Sequence, residues 1–292
     1  MSETVSVLAY AKLNLSLDIT GVRPDGYHTL EMVMQSVDLY DTVTLTKHST
    51  DKGVSVHCDR DDVPASTDNI AYKAALAFFQ YAQIKEYGLT IKIKKRIPLA
   101  AGLGGGSADA AAVLVGLNQL YQTDYSTAQL CEVGIKIGAD VPFCIYGGTR
   151  VAEGTGGIIS PLPDLTDCCF VIVKTGEKHS TGEMYQKFDA LTDVKHPMSQ
   201  NLISAICAGE IEEVAKYTDN VFEALWDSEI LQVKTELLEN GALSASLSGS
   251  GPSVFGLFAD EETAHKCLVQ LEDKYSDVFL CFPVDEGCKI SS

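Results

Sequence analysis

Alternation of apolar and polar side chains is clearest at residues 89–94. There Leu89, Ile91 and Ile93 face one way and Thr90, Lys92 and Lys94 the other, which predicts a half-buried strand. Shorter strand patterns occur at residues 5–8, 14–19, 42–46 and 54–57. Helical spacing takes over between them. Ser66, Thr67, Asp68 and Asn69 are capping residues ahead of an apolar-periodic stretch, which predicts a helix over 70–82. A second helix is expected from Ser107 to Tyr121, with Val113, Leu114, Leu117, Leu120 and Tyr121 on one face. A third starts at Ser126, where Gln129 completes a capping-box pattern; Leu130, Val133 and Ile137 form its stripe and Gly138 its stop. Residues 145–153 read as a strand pair.

Pro161-Leu162-Pro163-Asp164 interrupts this pattern and marks the expected junction between a domain of residues 1–160 and one of residues 161–292. Beyond it, residues 169–174 read as a buried strand. Helices are expected at 200–207, 211–223, 228–239 and 261–275, and strands at 245–247, 253–257 and 278–282. Asn240-Gly241 is a stop signal for the helix before it. Strands and helices mix without strict βαβ alternation, so the expected class is α+β.

A chain of 292 residues has room for two domains, and 46% hydrophobic with 21% charged residues is ordinary globular composition. Charge changes the picture more. The net charge is −18, so the surface repels phosphate backbones and anionic head groups, and neither nucleic acid nor membrane is an expected partner. No apolar run approaches the roughly 18 residues of a membrane span. The start, Met-Ser-Glu-Thr, lacks the basic-then-apolar order of a signal peptide, which points to the cytoplasm. Nine cysteines, an odd number without a Cys-x-x-Cys pair, read as reduced, mostly buried thiols, and no metal site is expected from them.

The most informative segment is Pro98, Leu99, Ala100, Ala101, Gly102, Leu103, Gly104, Gly105, Gly106, Ser107 and Ala108, which follows a strand and opens a helix. Four glycines in five positions let backbone N–H groups approach an anion, and the helix N-terminus behind them adds partial positive charge. That is how an acidic protein can hold a triphosphate. The alternative is a tight strand-to-helix turn with glycine for packing; four glycines with Ser107 at a helix start favour phosphate binding over it. No Gly-Lys-Ser/Thr ending is present, so the loop is not a Walker A loop, and the third glycine of a dinucleotide fingerprint is missing. Two further segments stand out: Ala11-Lys12-Leu13-Asn14-Leu15 and the glycine-rich stretch from Ser246 to Phe255. Alone, these would be an exposed strand lysine and a hairpin turn.

These three segments, in this order, resemble the GHMP kinase superfamily of small-molecule kinases. Gly21 to Leu30, containing Arg23-Pro24-Asp25-Gly26-Tyr27-His28, and Gly138-Ala139-Asp140-Val141-Pro142-Phe143 narrow the resemblance to the 4-diphosphocytidyl-2-C-methyl-D-erythritol kinases. The resemblance runs end to end, most strongly within residues 9–31 and 97–154. It implies transfer of the ATP γ-phosphoryl group to the 2-hydroxyl of that cytidyl substrate, in the non-mevalonate isoprenoid pathway. It also implies a ribosomal-protein-S5-like domain followed by a ferredoxin-like domain, with the site between them.

Residue roles follow from the same resemblance. Asp140 matches the family's catalytic aspartate, a proton acceptor and hydroxyl orienter; alone it would read as a turn cap. Lys12 matches the catalytic lysine, which stabilises charge near the transferring group. Tyr27 and His28 match the cytidine site, Asn14 a substrate-binding position, and Tyr185 an aromatic covering the other face of the base; Thr181 is a weaker binding candidate. Ala108 stands where serine is frequent, which removes a hydroxyl donor. Mg²⁺ is expected with ATP, with no protein ligand assigned; Ser107 is a candidate, Asp109 reads as favouring the helix start, and oligomeric state stays open. Another superfamily kinase, of homoserine or mevalonate type, and a nucleotide-binding module without activity are the alternatives. Gly26-Tyr27-His28 argues against the first and the Lys12 with Asp140 pair against the second.

Overall fold

A computed structural model describes residues 3–49, 53–64, 67–176, 180–226 and 228–291; Met1, Ser2 and Ser66, read above for targeting and capping, lie outside them. In chain order the elements are β1 (Glu3–Val22), β2 (His28–Lys47), β3 (Gly53–Cys58), α1 (Ile70–Tyr81), β4 (Gly88–Lys94), α2 (Gly105–Tyr121), α3 (Thr127–Gly134), α4 (Val141–Tyr146), β5 (Thr149–Gly154) and β6 (Ile158–Pro161). There follow β7 (Cys169–Lys174), α5 (Thr181–Asp189), α6 (Ser199–Ala208), α7 (Ile211–Tyr217), β8 (Asp219–Asn220) and a 3₁₀ turn at Val221–Leu225. The last elements are α8 (Ser228–Glu239), β9 (Ser244–Leu247), β10 (Ser253–Phe258), α9 (Glu261–Glu272), β11 (Asp277–Cys281) and β12 (Cys288–Ser291).

β1 and β2 form one long antiparallel hairpin, each strand running 20 residues. Sequence pattern showed only fragments of it. Register shifts at Tyr10/Ala11, Asn14/Ser16 and Ile19/Gly21 break the alternation, and the middle of β1 is buried on both faces, which erases the period-two signal. The rest of an eight-stranded sheet is built on this hairpin. β4 pairs with β2 over residues 42–47 and β5 with β2 over residues 30–35. On the other side, β12 pairs with β1 over residues 6–9 and β8 over residues 16–17. α2 lies against the sheet so closely that a Cβ on Gly116 would sit 2.5 Å from Leu45 Cδ1.

The second sheet has the order β11-β7-β10-β9, every neighbour antiparallel. Numbered along the chain that order is 4-1-3-2 with helices between, a ferredoxin-like arrangement. The class is therefore α+β.

Three sequence expectations differ from the structure. α3 keeps the Ser126–Gln129 capping box but stops at Gly134, short of Gly138. Residues 141–146 are helical with Pro142 in the first turn, so only β5 falls within the expected pair at 145–153, and its partner β6 lies beyond it. The helix expected over 211–223 ends at Tyr217, because Asp219 and Asn220 pair with Ser16 and Leu17 of β1.

Candidate active site

Between the segments covered by β12 and β8, the outer edge of β1 is open to other partners, and two loops supply them. Lys12 N–H donates to Leu103 O at 3.0 Å, and Asn14 N–H to Ser248 Oγ at 3.4 Å. The glycine loop before α2 and the turn after β9 therefore meet on the strand that carries Lys12. They also meet each other: Ser248 Oγ donates to Gly102 O at 3.1 Å and Ser253 N–H to Ala101 O at 3.2 Å. Gly102, at φ +78°, could not carry a side chain, since a Cβ would lie 2.1 Å from Ser248 O. Gly104, at φ +72°, caps α2, and its missing Cβ is the space taken by Lys12 Cγ, 2.8 Å away. Asn220 holds the turn from below, its Nδ2 donating to Leu247 O at 2.7 Å and Gly249 O at 2.9 Å.

These contacts leave the Lys12 ammonium little freedom. Its side chain is 4% exposed, and Nζ donates to Asn14 Oδ1 at 2.5 Å and lies 3.8 Å from Asp140 Oδ2. Asp140 stands at the start of α4 but its carboxylate makes no capping bond, so it is spent on the cavity and not on the helix. The first N–H groups of α2, 17 residues long, have no helical partner and face the same cavity.

Behind the loop lies a buried cluster. Lys95 Nζ donates to Asp41 Oδ2 and to Asp109 Oδ2, the latter at 2.7 Å, and all three side chains are almost fully buried. Asp41 Oδ1 also takes the N–H groups of Arg96 at 2.6 Å and Ile97 at 2.9 Å. Lys95 thus ties the entry of the loop to Asp109 near the start of α2, closing it at its base. Burial works against the Lys95 charge, but Asp109 and Asp41 outweigh it and hold the ammonium above its ordinary value. Asp109 Oδ1 is buried without a hydrogen bond among the described residues. Burial pushes its carboxyl up to about 7, against the pull of Lys95 and with the help of the Asp41 charge.

The far end of the cavity is formed by the β1–β2 turn and α5. Asp25 takes the Tyr27 N–H at 3.2 Å and Arg23 at 2.8 Å, so the Arg23-Pro24-Asp25-Gly26 run shapes the turn that delivers Tyr27 and His28. His28 stacks on Tyr185, ring centroids 4.5 Å apart, while Tyr27 is 68% exposed at the rim. Burial, with the Asp140 charge second, pushes the Tyr185 phenol up to about 12, so it stays neutral.

Family profiles for the GHMP kinases N terminal domain and the GHMP kinases C terminal match residues 69–148 and 202–277. A 4-diphosphocytidyl-2-C-methyl-D-erythritol kinase of Clostridium tetani is 42% identical over 279 residues, 94% of this chain and 99% of the relative. The enzyme of that name from Clostridium perfringens is 44% identical over 277 residues, 93% of this chain and 96% of the relative. The chain belongs to the 4-diphosphocytidyl-2-C-methyl-D-erythritol kinase family of GHMP kinases. Among solved structures, a 4-(cytidine 5'-diphospho)-2C-methyl-D-erythritol kinase superposes with a TM-score of 0.75 at 28% identity, covering 96% of this chain and 98% of that one. A homoserine kinase from Cytophaga hutchinsonii shares the fold, with a TM-score of 0.80 at 21% identity over 99% of this chain and 97% of its own.

Set beside the family's motifs, one cavity of about 750 Å³ is lined by Lys12, Asn14, Tyr27, His28, residues 98–107, Asp140, Thr181 and Tyr185. Ala108 is the exception. It is fully buried, off the cavity wall, and its N–H is used in a helical bond to Gly104 O at 2.8 Å. Sequence reasoning passed over Lys95, Asp189 and Asn220, and read Asp109 only as favouring the start of α2. Asn220 and the Lys95 cluster carry no motif, because their partners come from distant segments. Asp189 had a local signal: the Ser180-x-x-Glu183 capping box that starts α5 is complete in the structure.

Proposed function

We propose that this protein transfers the γ-phosphoryl group of ATP to the 2-hydroxyl of 4-diphosphocytidyl-2-C-methyl-D-erythritol, a step of the non-mevalonate isoprenoid pathway. The observation that carries the reading is the buried Lys12 ammonium held between Asn14 and Asp140, at the junction of the glycine loop and the cavity. A binding module has no use for that pair.

The triphosphate lies along residues 98–107, its oxygens on the free N–H groups of the loop and the start of α2. Asp140 orients the attacking hydroxyl and takes its proton as the oxygen bonds to the γ-phosphorus and ADP leaves. Lys12 stabilises charge on the transferring group, and its rigid seat means little reorganisation at that moment. Tyr27, His28 and Tyr185 hold the cytosine, with Asn14 and Thr181 on other polar groups of the substrate. Bound with ATP, Mg²⁺ would supply neutralisation of the phosphate charge. No cluster of three metal-binding side chains occurs among the described residues.

Residues 1–160 form the nucleotide-binding domain and residues 161–292 the C-terminal domain in this proposal. The second sheet, beginning at β7, supports that division, although β12 returns to the first. No helix among the described residues is long and apolar enough to cross a membrane. Work in the cytoplasm on a small-molecule substrate fits the acidic surface, and five of the nine thiols are buried.

The test is ADP release by the purified protein with Mg²⁺, ATP and the cytidyl substrate, with homoserine and mevalonate as controls. Turnover restricted to the cytidyl substrate is expected. Turnover of a control alcohol alone would move the protein to another branch of the superfamily.

A further inference from the structure

α5 grips His28 on two sides. Tyr185 lies flat against the imidazole, planes 18° apart, and Asp189 Oδ1 sits 2.8 Å from its Nε2. Tyr185 and Asp189 are four residues apart, so one face of one helix supplies both contacts. Phe222 packs edge-on against Tyr185, centroids 5.2 Å apart, and so backs the stack. The imidazole is 11% exposed and lines the cavity, and its Nδ1 has no hydrogen-bond partner among the described residues.

A carboxylate only accepts hydrogen bonds, so a neutral imidazole beside Asp189 carries its proton on Nε2. Nδ1 is then a bare acceptor at the edge of a mostly buried ring. We propose that Asp189 is a positioning residue that sets base specificity: by fixing the His28 tautomer it makes Nδ1 an acceptor for the exocyclic amine of cytosine. This rests on the reading that His28 faces the nucleobase of the substrate. In uracil a carbonyl oxygen replaces that amine, and two lone pairs meet. A site that must leave a buried acceptor unpaired rejects a ligand far more strongly than one that merely fits it less well. As a stability device the contact offers little, since Asp189 is 50% exposed and such pairs are weak. Its removal therefore leaves the fold intact and isolates the effect on recognition.

Wild-type and Asp189→Ala proteins are compared on the cytidyl substrate and on its uridyl counterpart, with ATP saturating. For the variant, KM for the cytidyl substrate rises about tenfold. kcat and KM for ATP stay within twofold, and the cytidyl-over-uridyl ratio of kcat/KM falls about tenfold or more. An unchanged ratio, or equal losses on both substrates, overturns the proposal. In the wild type, ¹⁵N NMR of the His28 ring finds the proton on Nε2; a dominant Nδ1–H form overturns it independently. Absence of wild-type turnover with the cytidyl substrate overturns the functional reading itself, a result distinct from either.

Discussion

Asp140 and Lys12 are the residues on which the chemistry turns, and each predicts a separate loss. Asp140→Asn lowers kcat by about 10²–10⁴-fold and leaves the nucleotide Kd within a few-fold, measured by steady-state kinetics beside calorimetric titration. Lys12→Ala lowers kcat comparably and opens space between Gly104 and Gly249, whose missing Cβ atoms now accommodate the side chain. Asp109 sets a pH dependence of stability. Its carboxyl is held at about 7 against an ordinary 3.8, so between those values the folded chain keeps a proton that the unfolded chain has lost. Stability from this group is complete below the lower value and falls as pH rises through about 7, by ~2–4 kcal/mol. Asp109→Asn cannot ionise. Urea unfolding at pH 5, 6, 7 and 8 is expected to show the variant gaining on the wild type up to neutrality and holding that gain above it. A constant gap would mean that Asp109 is already ionised at pH 5.

Elements decide how the site residues come together, and here the sequence was unevenly legible. The capping box of α3 and the glycine opening of α2 are local signals and were read; the box of α5 is equally local, yet no helix was expected there. β1 was read as two short strands because its bulges and double burial hide the alternation, yet those bulges re-aim the edge that holds Lys12 and Asn14. The end of α7 was misplaced for a related reason. Asn220 leaves the helix to reach β1 and the turn after β9, contacts that no local pattern encodes. Its side chain also accepts the Phe222 N–H at 3.0 Å, so Asn220→Ala strands three backbone groups. The expected cost is about 2 kcal/mol or more in urea unfolding. Nucleotide affinity falls as well, since Gly249 is no longer fixed beside Lys12.

At the scale of the whole molecule the two sheets are interleaved by the return of the chain. The chain passes from one sheet to the other between β6 and β7, but four residues as irregular as Cys288–Ser291 gave no hint that they come back to β1. Gly287 fits so tightly that a Cβ would lie 2.1 Å from Cys144 O. Ending the chain at Gly287 removes the pairing of β12 with residues 6–9, just upstream of Lys12. The expected result is a Tm lowered by several degrees in calorimetry and a raised KM for ATP, although no cavity residue has been touched. The open edge of β1 has a further consequence during synthesis. Residues 3–22 leave the ribosome early, whereas β8, the Ser248 turn and β12 are encoded near the opposite end. Until they emerge, the nascent strand lacks those partners for its backbone groups, a template for mispairing. The step that shields this edge is also the step that seats Lys12, so protection from aggregation and catalytic competence arrive together.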